Sequence, residues 1–254
     1  MNQSNNGRRS FLKRATAGSA VALGLSQIVA SAYAEAKPPK VVLKNNDVIL
    51  FQGDSITDAS RNRDEKSSNN TKALGTGYAF LAGAHLLHAH PAKNLQLFNR
   101  GISGNKVYQL AERWDTDCLD LKPTVLSILI GVNDFWHMIN GKYDGTIETY
   151  RTDYKALLQR TREKLPDVKL IIGEPFAVPG IKAVDEQWFP RFSEYQEAAR
   201  ELADQFKATF IPYQSVFDKA SKLATGSHWT HDGVHPSLAG SQLMAEAVVS
   251  NFAA

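Results

Sequence analysis

The chain has 254 residues, 43% hydrophobic and 22% charged, with a formal net charge of +3. That composition excludes a disordered polyelectrolyte and leaves enough apolar material for one sizeable core. Its single cysteine, Cys118, excludes an intramolecular disulfide framework.

The first 34 residues read as an address. Arg8-Arg9-Ser10-Phe11-Leu12-Lys13 is a twin-arginine signature, a mildly apolar stretch runs from Ala15 to Val29, and Ala32-Tyr33-Ala34 offers a small-x-small cleavage site. An uncleaved anchor is the alternative, but the stretch is shorter and less apolar than the ~20 residues a span needs. Cleavage would leave residues 35–254 as one domain, exported to the periplasm or beyond. Arg8, Arg9, Lys13 and Arg14 would leave with the leader, which turns 29 basic against 26 acidic residues into a small net negative balance. The apparent basicity therefore makes no case for nucleic acid as a partner. No later segment is long and apolar enough to span a bilayer.

From Asp47 onward strand and helix patterns alternate. Strands are predicted near 47–52, 95–99, 124–130, 168–173 and 208–212. Helices are predicted near 77–89, 105–116, 146–164, 190–206 and 238–251. In the helix before Pro166, apolar Tyr154, Leu157, Leu158 and Leu165 recur at helical spacing. The predicted class is α/β, a three-layer α/β/α sandwich with a five-stranded parallel sheet in the flavodoxin-like order 2-1-3-4-5. Two irregular stretches, 58–76 and 175–189, leave the strands on the edge where ligands bind in such sheets. Both read as substrate-site walls or as plain surface loops.

Four segments gather chemistry at that edge. Val48-Ile49-Leu50-Phe51-Gln52-Gly53 is a buried-strand pattern that ends on Asp54-Ser55. Arg100-Gly101-Ile102-Ser103-Gly104-Asn105 follows the second strand, and Gly131-Val132-Asn133-Asp134 follows the third. Asp232-Gly233-Val234-His235-Pro236 lies near the C-terminus. An attacking hydroxyl, a base, an orienting acid and separate oxyanion donors are the parts that acyl transfer requires. Taken singly, Ser55 is a helix cap, Asp232 a turn former and His235 a packed histidine. Their order along the chain favours the catalytic reading: Ser55 as nucleophile, His235 as base, Asp232 as its orienter.

These blocks resemble the SGNH, or GDSL-type, hydrolases over nearly all of the chain after the leader. Phe51 through Asp58, Ala73-Leu74-Gly75-Thr76-Gly77-Tyr78, Arg100 through Asn105 and Asn133-Asp134-Phe135-Trp136 are similar to the branch that holds bacterial acetylxylan esterases. The resemblance implies an oxyanion hole built from the backbone N–H groups of Ser55 and Gly104 and the side-chain amide of Asn133. It implies a serine esterase that removes small acyl groups, acetyl above all, from an acylated oligo- or polysaccharide, without a cofactor. Phe135, Trp136 and Trp229 are candidate substrate-binding aromatics, with ordinary packing as the alternative. His228, His231 and His235 lie close enough to raise the question of zinc, but no further ligand is placed for it, so metal is expected to be absent. Cys118 reads as a packing residue. A homo-oligomer is compatible with the sequence.

Rival readings are a lysophospholipase or thioesterase of the same fold and a carbohydrate-binding module with a dead hydrolase fold. The α/β-hydrolase elbow, Gly-x-Ser-x-Gly, is not met by Gly53-Asp54-Ser55-Ile56-Thr57.

Overall fold

A computed structural model of the chain describes residues 27–33 and 40–253. The sheet consists of β1 (Val48–Gly53), β2 (Gln96–Asn99), β3 (Val125–Leu129), β4 (Lys169–Gly173) and β5 (Thr209–Ile211). All pairings are parallel and the order is β2-β1-β3-β4-β5, as expected. Every residue of β3 is buried, and β1 and β4 are buried apart from their first residues. Strands covered on both faces have to read as continuous apolar runs, which is why these segments were legible.

Helices α1 (Ser55–Asp58), α2 (Tyr78–Ala89), α3 (Val107–Glu112), α4 (Val132–Ile139), α5 (Ile147–Lys164), α6 (Phe192–Gln205), α7 (Tyr213–Ala220) and α8 (Leu238–Val249) carry the architecture. Helix α8 packs on α2 and α7 on one side of the sheet, while α5 packs on α3 and α6 on the other. The predicted helix 105–116 is divided. Arg113 leaves helical geometry between α3 and a short helix Trp114–Asp117. Its guanidinium instead donates to the Arg100 carbonyl (2.7 Å), to Asn105 Oδ1 (2.9 Å) and to Asp117 Oδ2 (2.8 Å). The chain gives up helical continuity there to brace the loop after β2.

Helices α4 and α7 were not predicted. Each starts within three residues of a strand end, and a short apolar run does not separate the end of a strand from the start of a helix.

Register puts Gly53 opposite Leu129 and Phe51 opposite Asn99, so β1, β2 and β3 finish at one edge. The strand order reverses about β1 at that edge, and Ser55, Gly104 and Asn133 all follow within a few residues. The outer edge of β2 is closed by Asn69 from the 58–76 stretch. Asn69 N donates to Leu97 O (3.0 Å), Leu97 N donates to Asn69 Oδ1 (2.9 Å) and Asn69 Nδ2 donates to Leu95 O (2.8 Å). One asparagine thus satisfies ladder groups that would otherwise template another strand.

The twin-arginine signature lies outside the described residues. Residues 27–33, expected to leave with the leader, are described and lie against the domain. Val29 is buried in the core, and the Tyr33 hydroxyl donates to Ala247 O (3.1 Å) while accepting from Asn251 Nδ2 (2.7 Å). Burial pushes the Tyr33 phenol up to about 12, against its side-chain hydrogen bonds with Asn251 and Ser250. Among the described residues no helix is long and apolar enough to cross a membrane. Cys118 is buried, and burial pushes its thiol well up, as suits a packing residue.

Glu174, just past β4, shows what burial does to a carboxyl away from the cleft. Its Oε2 accepts the Gln214 N–H (2.9 Å) in the first turn of α7. Burial nevertheless raises its pKa from 4.5 to about 7. The folded state therefore holds this proton more tightly than the unfolded chain does, and stability falls as pH rises from about 4.5 to about 7. Glu174→Gln keeps an acceptor for Gln214 and removes the ionisation. Its stability relative to the parent should rise across that window, by of order 3 kcal/mol, and stay flat above it. Denaturant unfolding at pH 4.5, 6 and 8 checks this, and an offset that does not change with pH contradicts it.

Candidate active site

The sharp turn out of β1 depends on close backbone approach. A Cβ on Gly53 would lie 2.3 Å from the Leu129 carbonyl of the neighbouring strand. Asp54 then caps α1, its Oδ1 accepting the Ile56 N–H at 3.0 Å. This leaves Ser55 at the first helical position, half-buried, with its side chain at the sheet edge. Asp54 itself is fully buried, and burial pushes its carboxyl up to about 7, against the pull of the Ile56 N–H and of His235.

The C-terminal block supplies the partners. Ser55 Oγ lies 2.9 Å from His235 Nε2, and His235 Nδ1 lies 2.7 Å from Asp232 Oδ2. The other oxygen of Asp232 accepts the backbone N–H groups of Val234 (2.9 Å) and His235 (2.8 Å). Burial raises the Asp232 pKa, but those N–H donors and the imidazole outweigh it and hold the carboxyl below its usual range. An ionised carboxylate only accepts, so His235 Nδ1 carries the donated proton, and Nε2 is left to accept from the serine hydroxyl. Hydroxyl, imidazole and carboxylate thus form one directed hydrogen-bond relay.

Residues 175–189 brace this relay, and none of them lines the cavity over Ser55 and His235. Val178 N donates to Gly233 O (2.8 Å) and Ala183 N to Asp232 O (3.0 Å). Gly233 has φ of +94°, and a Cβ there would press on Val184, Ile181 and Val178. Glycine is required for the Asp232-to-His235 turn to seat against that segment.

On the other side of the serine, Gly104 sits at φ +83° with nothing within 4 Å of where a Cβ would project. Asn133, in the first turn of α4, donates from Nδ2 to Asn105 O at 3.3 Å, next to Gly104. An amide nitrogen has two N–H groups, so a second donor remains. Asp134 lies beneath, its Oδ1 accepting Val107 N at 3.2 Å, and burial pushes its carboxyl up to about 7 despite that bond.

Of the three aromatics expected to meet substrate, the structure corrects two. Phe135 is fully buried among Trp188, Phe192 and Tyr195. Trp229 is 5% exposed and its indole donates to Ala220 O at 3.0 Å, so it fixes the approach to the histidine loop from inside. Both look like flanking aromatics in sequence, but the helical turn points them into the core. Trp136 is partly exposed, with its ring 6.4 Å from the His235 ring.

The 58–76 stretch supplies part of the cleft lining, as one of its two expected readings had it, and sequence reasoning missed the rest. A cavity of about 530 Å³ opens over Ser55 and His235, and its hydroxyl-bearing walls are Ser60, Thr76, Ser103, Ser237 and Ser241. Small polar residues of this kind carry no periodic signal. Among the described residues, no three His, Cys, Asp or Glu side chains converge as metal ligands.

Comparison with known proteins identifies the family. The model of the GDSL-like lipase/acylhydrolase family matches residues 51–243. An acetylxylan esterase of Geobacillus stearothermophilus is 32% identical over 205 residues, 80% of this chain and 92% of the relative. An uncharacterized lipoprotein of Bacillus subtilis is 30% identical over 141 residues, 54% of this chain and 56% of the relative. Among solved structures, a protein from Parabacteroides merdae described as a GDSL-like lipase superposes with a TM-score of 0.82 at 48% identity, covering 84% of this chain and 98% of its own. The acetylxylan esterase Axe2 of G. stearothermophilus superposes at 0.72 and 30% identity, covering 82% of this chain and 94% of its own. With the sheet, the serine-bearing turn and the family match in agreement, the chain belongs to the GDSL-like lipase/acylhydrolase family and is a carboxylic ester hydrolase.

Proposed function

We propose that the protein is a serine esterase that removes acetyl groups from carbohydrate through an acyl-enzyme on Ser55. The observation that carries this reading is the hydroxyl-lined open cleft over a serine already hydrogen-bonded to its base. The lining also carries apolar Ile56, Ala59, Pro236 and Leu238, but the cleft is open and its short hydroxyl side chains suit a polyol leaving group and a small acyl group. The acetylxylan esterase relatives point the same way, and two solved forms of Axe2 are catalytic mutants with a serine or a histidine replaced by alanine.

In this mechanism His235 Nε2 takes the Ser55 proton as Oγ attacks the acetyl carbonyl. Asp232 balances the imidazolium that forms. The N–H groups of Ser55 and Gly104 and the free amide N–H of Asn133 receive the oxyanion. His235 then protonates the departing sugar hydroxyl, and water repeats the sequence to release acetate. Trp136, beside His235, is the one remaining aromatic candidate for stacking on a sugar face. Export through the twin-arginine signature would bring the enzyme to such substrates.

The lysophospholipase or thioesterase alternative separates cleanly. Aryl esters from acetate to decanoate should show kcat/KM falling by at least about tenfold between acetate and octanoate, since Ile56, Ala59, Pro236 and Leu238 lie scattered along an open cleft and do not enclose a channel for a longer chain. Acetate release should follow from acetylated xylan or a related glycan. A rising chain-length profile, or no acetate from any acetylated carbohydrate, ends the carbohydrate reading.

A further inference from the structure

The oxyanion loop is held at a distance from the nucleophile by a carboxylate on the nucleophile's own helix. Ser103, the residue before Gly104, donates both its backbone N–H (3.0 Å) and its hydroxyl (2.7 Å) to Asp58 Oδ2. Asp58 ends α1, three residues after Ser55. Its side chain is 4% exposed and paired with Arg63, with Arg61 at 3.8 Å. Arg61 in turn donates to Gly101 O at 2.8 Å, so the same segment grips the loop at two points. The approach is backbone to backbone, because a Cβ on Gly101 would lie 2.4 Å from the Asp58 nitrogen.

Gly104 needs such support from outside. Its conformation is left-handed, and the space where a Cβ would project is empty. Rigidity at the Gly104 N–H therefore has to come from the residues before and after it. On the far side Asn105 is fixed by Arg113. On the near side Gly101 and Ile102 are tied to Asn99 and Gly53, at 2.9 and 3.1 Å, which leaves Ser103 as the last anchor before the donor. Burial acts to raise the Asp58 pKa, but hydrogen bonds from Arg63 and Ser103 and the Arg63 charge hold it below the usual range. The anchor is thus a charged acceptor, and charge-assisted bonds are the strong ones.

We propose that Asp58 is a positioning residue for ester hydrolysis: through Ser103 it sets where the Gly104 N–H stands relative to Ser55. Nucleophile and oxyanion donor are then referenced to a single turn of helix, and the polar stretch after the nucleophile has a mechanical role. The inference rests on the reading that Gly104 serves the oxyanion. A misplacement of ~1 Å in such a donor is enough to cost about 10²-fold in turnover.

The test uses the full chain with Asp58→Ala, Asp58→Asn, Ser103→Ala and the Asp58→Ala/Ser103→Ala double variant, on an aryl acetate. Expected for Asp58→Ala is a kcat about 10- to 100-fold lower with KM within about twofold, and an unchanged acid limb of the pH profile. Asp58→Asn, which keeps an acceptor for Ser103, should recover part of the loss. The double variant should be no worse than Asp58→Ala, because the Ser103 hydroxyl has no partner left once the carboxylate is gone. Inactivation by an aryl phosphonate, whose adduct occupies the same hole, should slow in parallel.

A kcat within twofold of the parent, a loss carried by KM, or additive single effects would overturn the proposal. If Asp58→Ala does not fold, Asp58→Asn and Ser103→Ala decide together, since Ser103→Ala removes the hydroxyl and keeps the backbone donor: a lower kcat at unchanged KM in either supports the link, and parent kcat in both removes it. Ser55→Ala assayed alongside separates the two readings. If that variant turns over normally, the serine mechanism itself has failed. If it is dead while the Asp58 variants match the parent, only the positioning role is lost.

Discussion

Ser55→Ala should lower kcat/KM on an acetyl ester by about 10⁴-fold or more while leaving the fold unchanged. The size follows from the relay. His235 Nε2 accepts from Ser55 Oγ at 2.9 Å, and without the hydroxyl it has no nucleophile to activate. Binding and the oxyanion donors remain, so the residue of activity is what those alone provide. The fold should survive because Ser55 contributes no other hydrogen bond through its side chain. Asp54, not Ser55, caps α1, and alanine suits the first helical position. Circular dichroism and thermal unfolding should therefore match the parent within about 1 kcal/mol. Turnover like the parent's in a folded variant would remove the nucleophile assignment.

What could be read from the sequence and what could not divide along physical lines. The five strands were legible because β1, β3 and β4 are buried on both faces and have no polar alternation to confuse the pattern. Ser55, Asp232 and His235, which the structure brings into one hydrogen-bonded chain, were legible because such a chain demands fixed residue types, Ser55 after a readable strand and the other two in one short motif before a readable helix. The aromatics were not. Phe135 lies two residues after Asn133 in α4, and the facing of an aromatic on a helix that was not itself predicted is invisible in sequence. Trp229 is a similar case, in a short helix, Gly226–Trp229, that shows no periodicity. The role of 58–76 was equally hidden. Its polar composition read as a loop near substrate, and Ser60 and Thr76 do line the cleft. Yet Asn69 closes the edge of β2, and Arg61 and Arg63 brace Asp58. Those are long-range contacts, and a hydrophilic stretch does not reveal which of its polar groups are spoken for.

Asp232→Asn should be nearly as damaging as loss of the nucleophile, and for a reason specific to how this carboxylate is held. Its Oδ1 is claimed by two backbone N–H groups, at 2.8 and 2.9 Å, while Oδ2 faces His235 Nδ1 at 2.7 Å. Asparagine has only one oxygen to offer. The backbone donors cannot turn away without unfolding the 232–235 turn, so the oxygen stays with them and the amide NH₂ faces the imidazole. A donor opposite Nδ1 drives the ring proton to Nε2, where it points at Ser55 and can no longer accept its hydrogen. That tautomer error is worth about 10⁴-fold in a serine triad. Asp232→Ala offers no such donor and leaves the ring free to choose, so it should retain more activity than Asp232→Asn despite removing more of the side chain. Steady-state kinetics on one acetyl ester ranks the two variants. Nitrogen NMR of the imidazole shows the tautomer directly: protonated Nδ1 in the parent, protonated Nε2 in Asp232→Asn. If the two variants rank the other way, the tautomer account fails; if the asparagine variant keeps the parent tautomer and rate, Asp232 is a turn residue and His235 is oriented by something else.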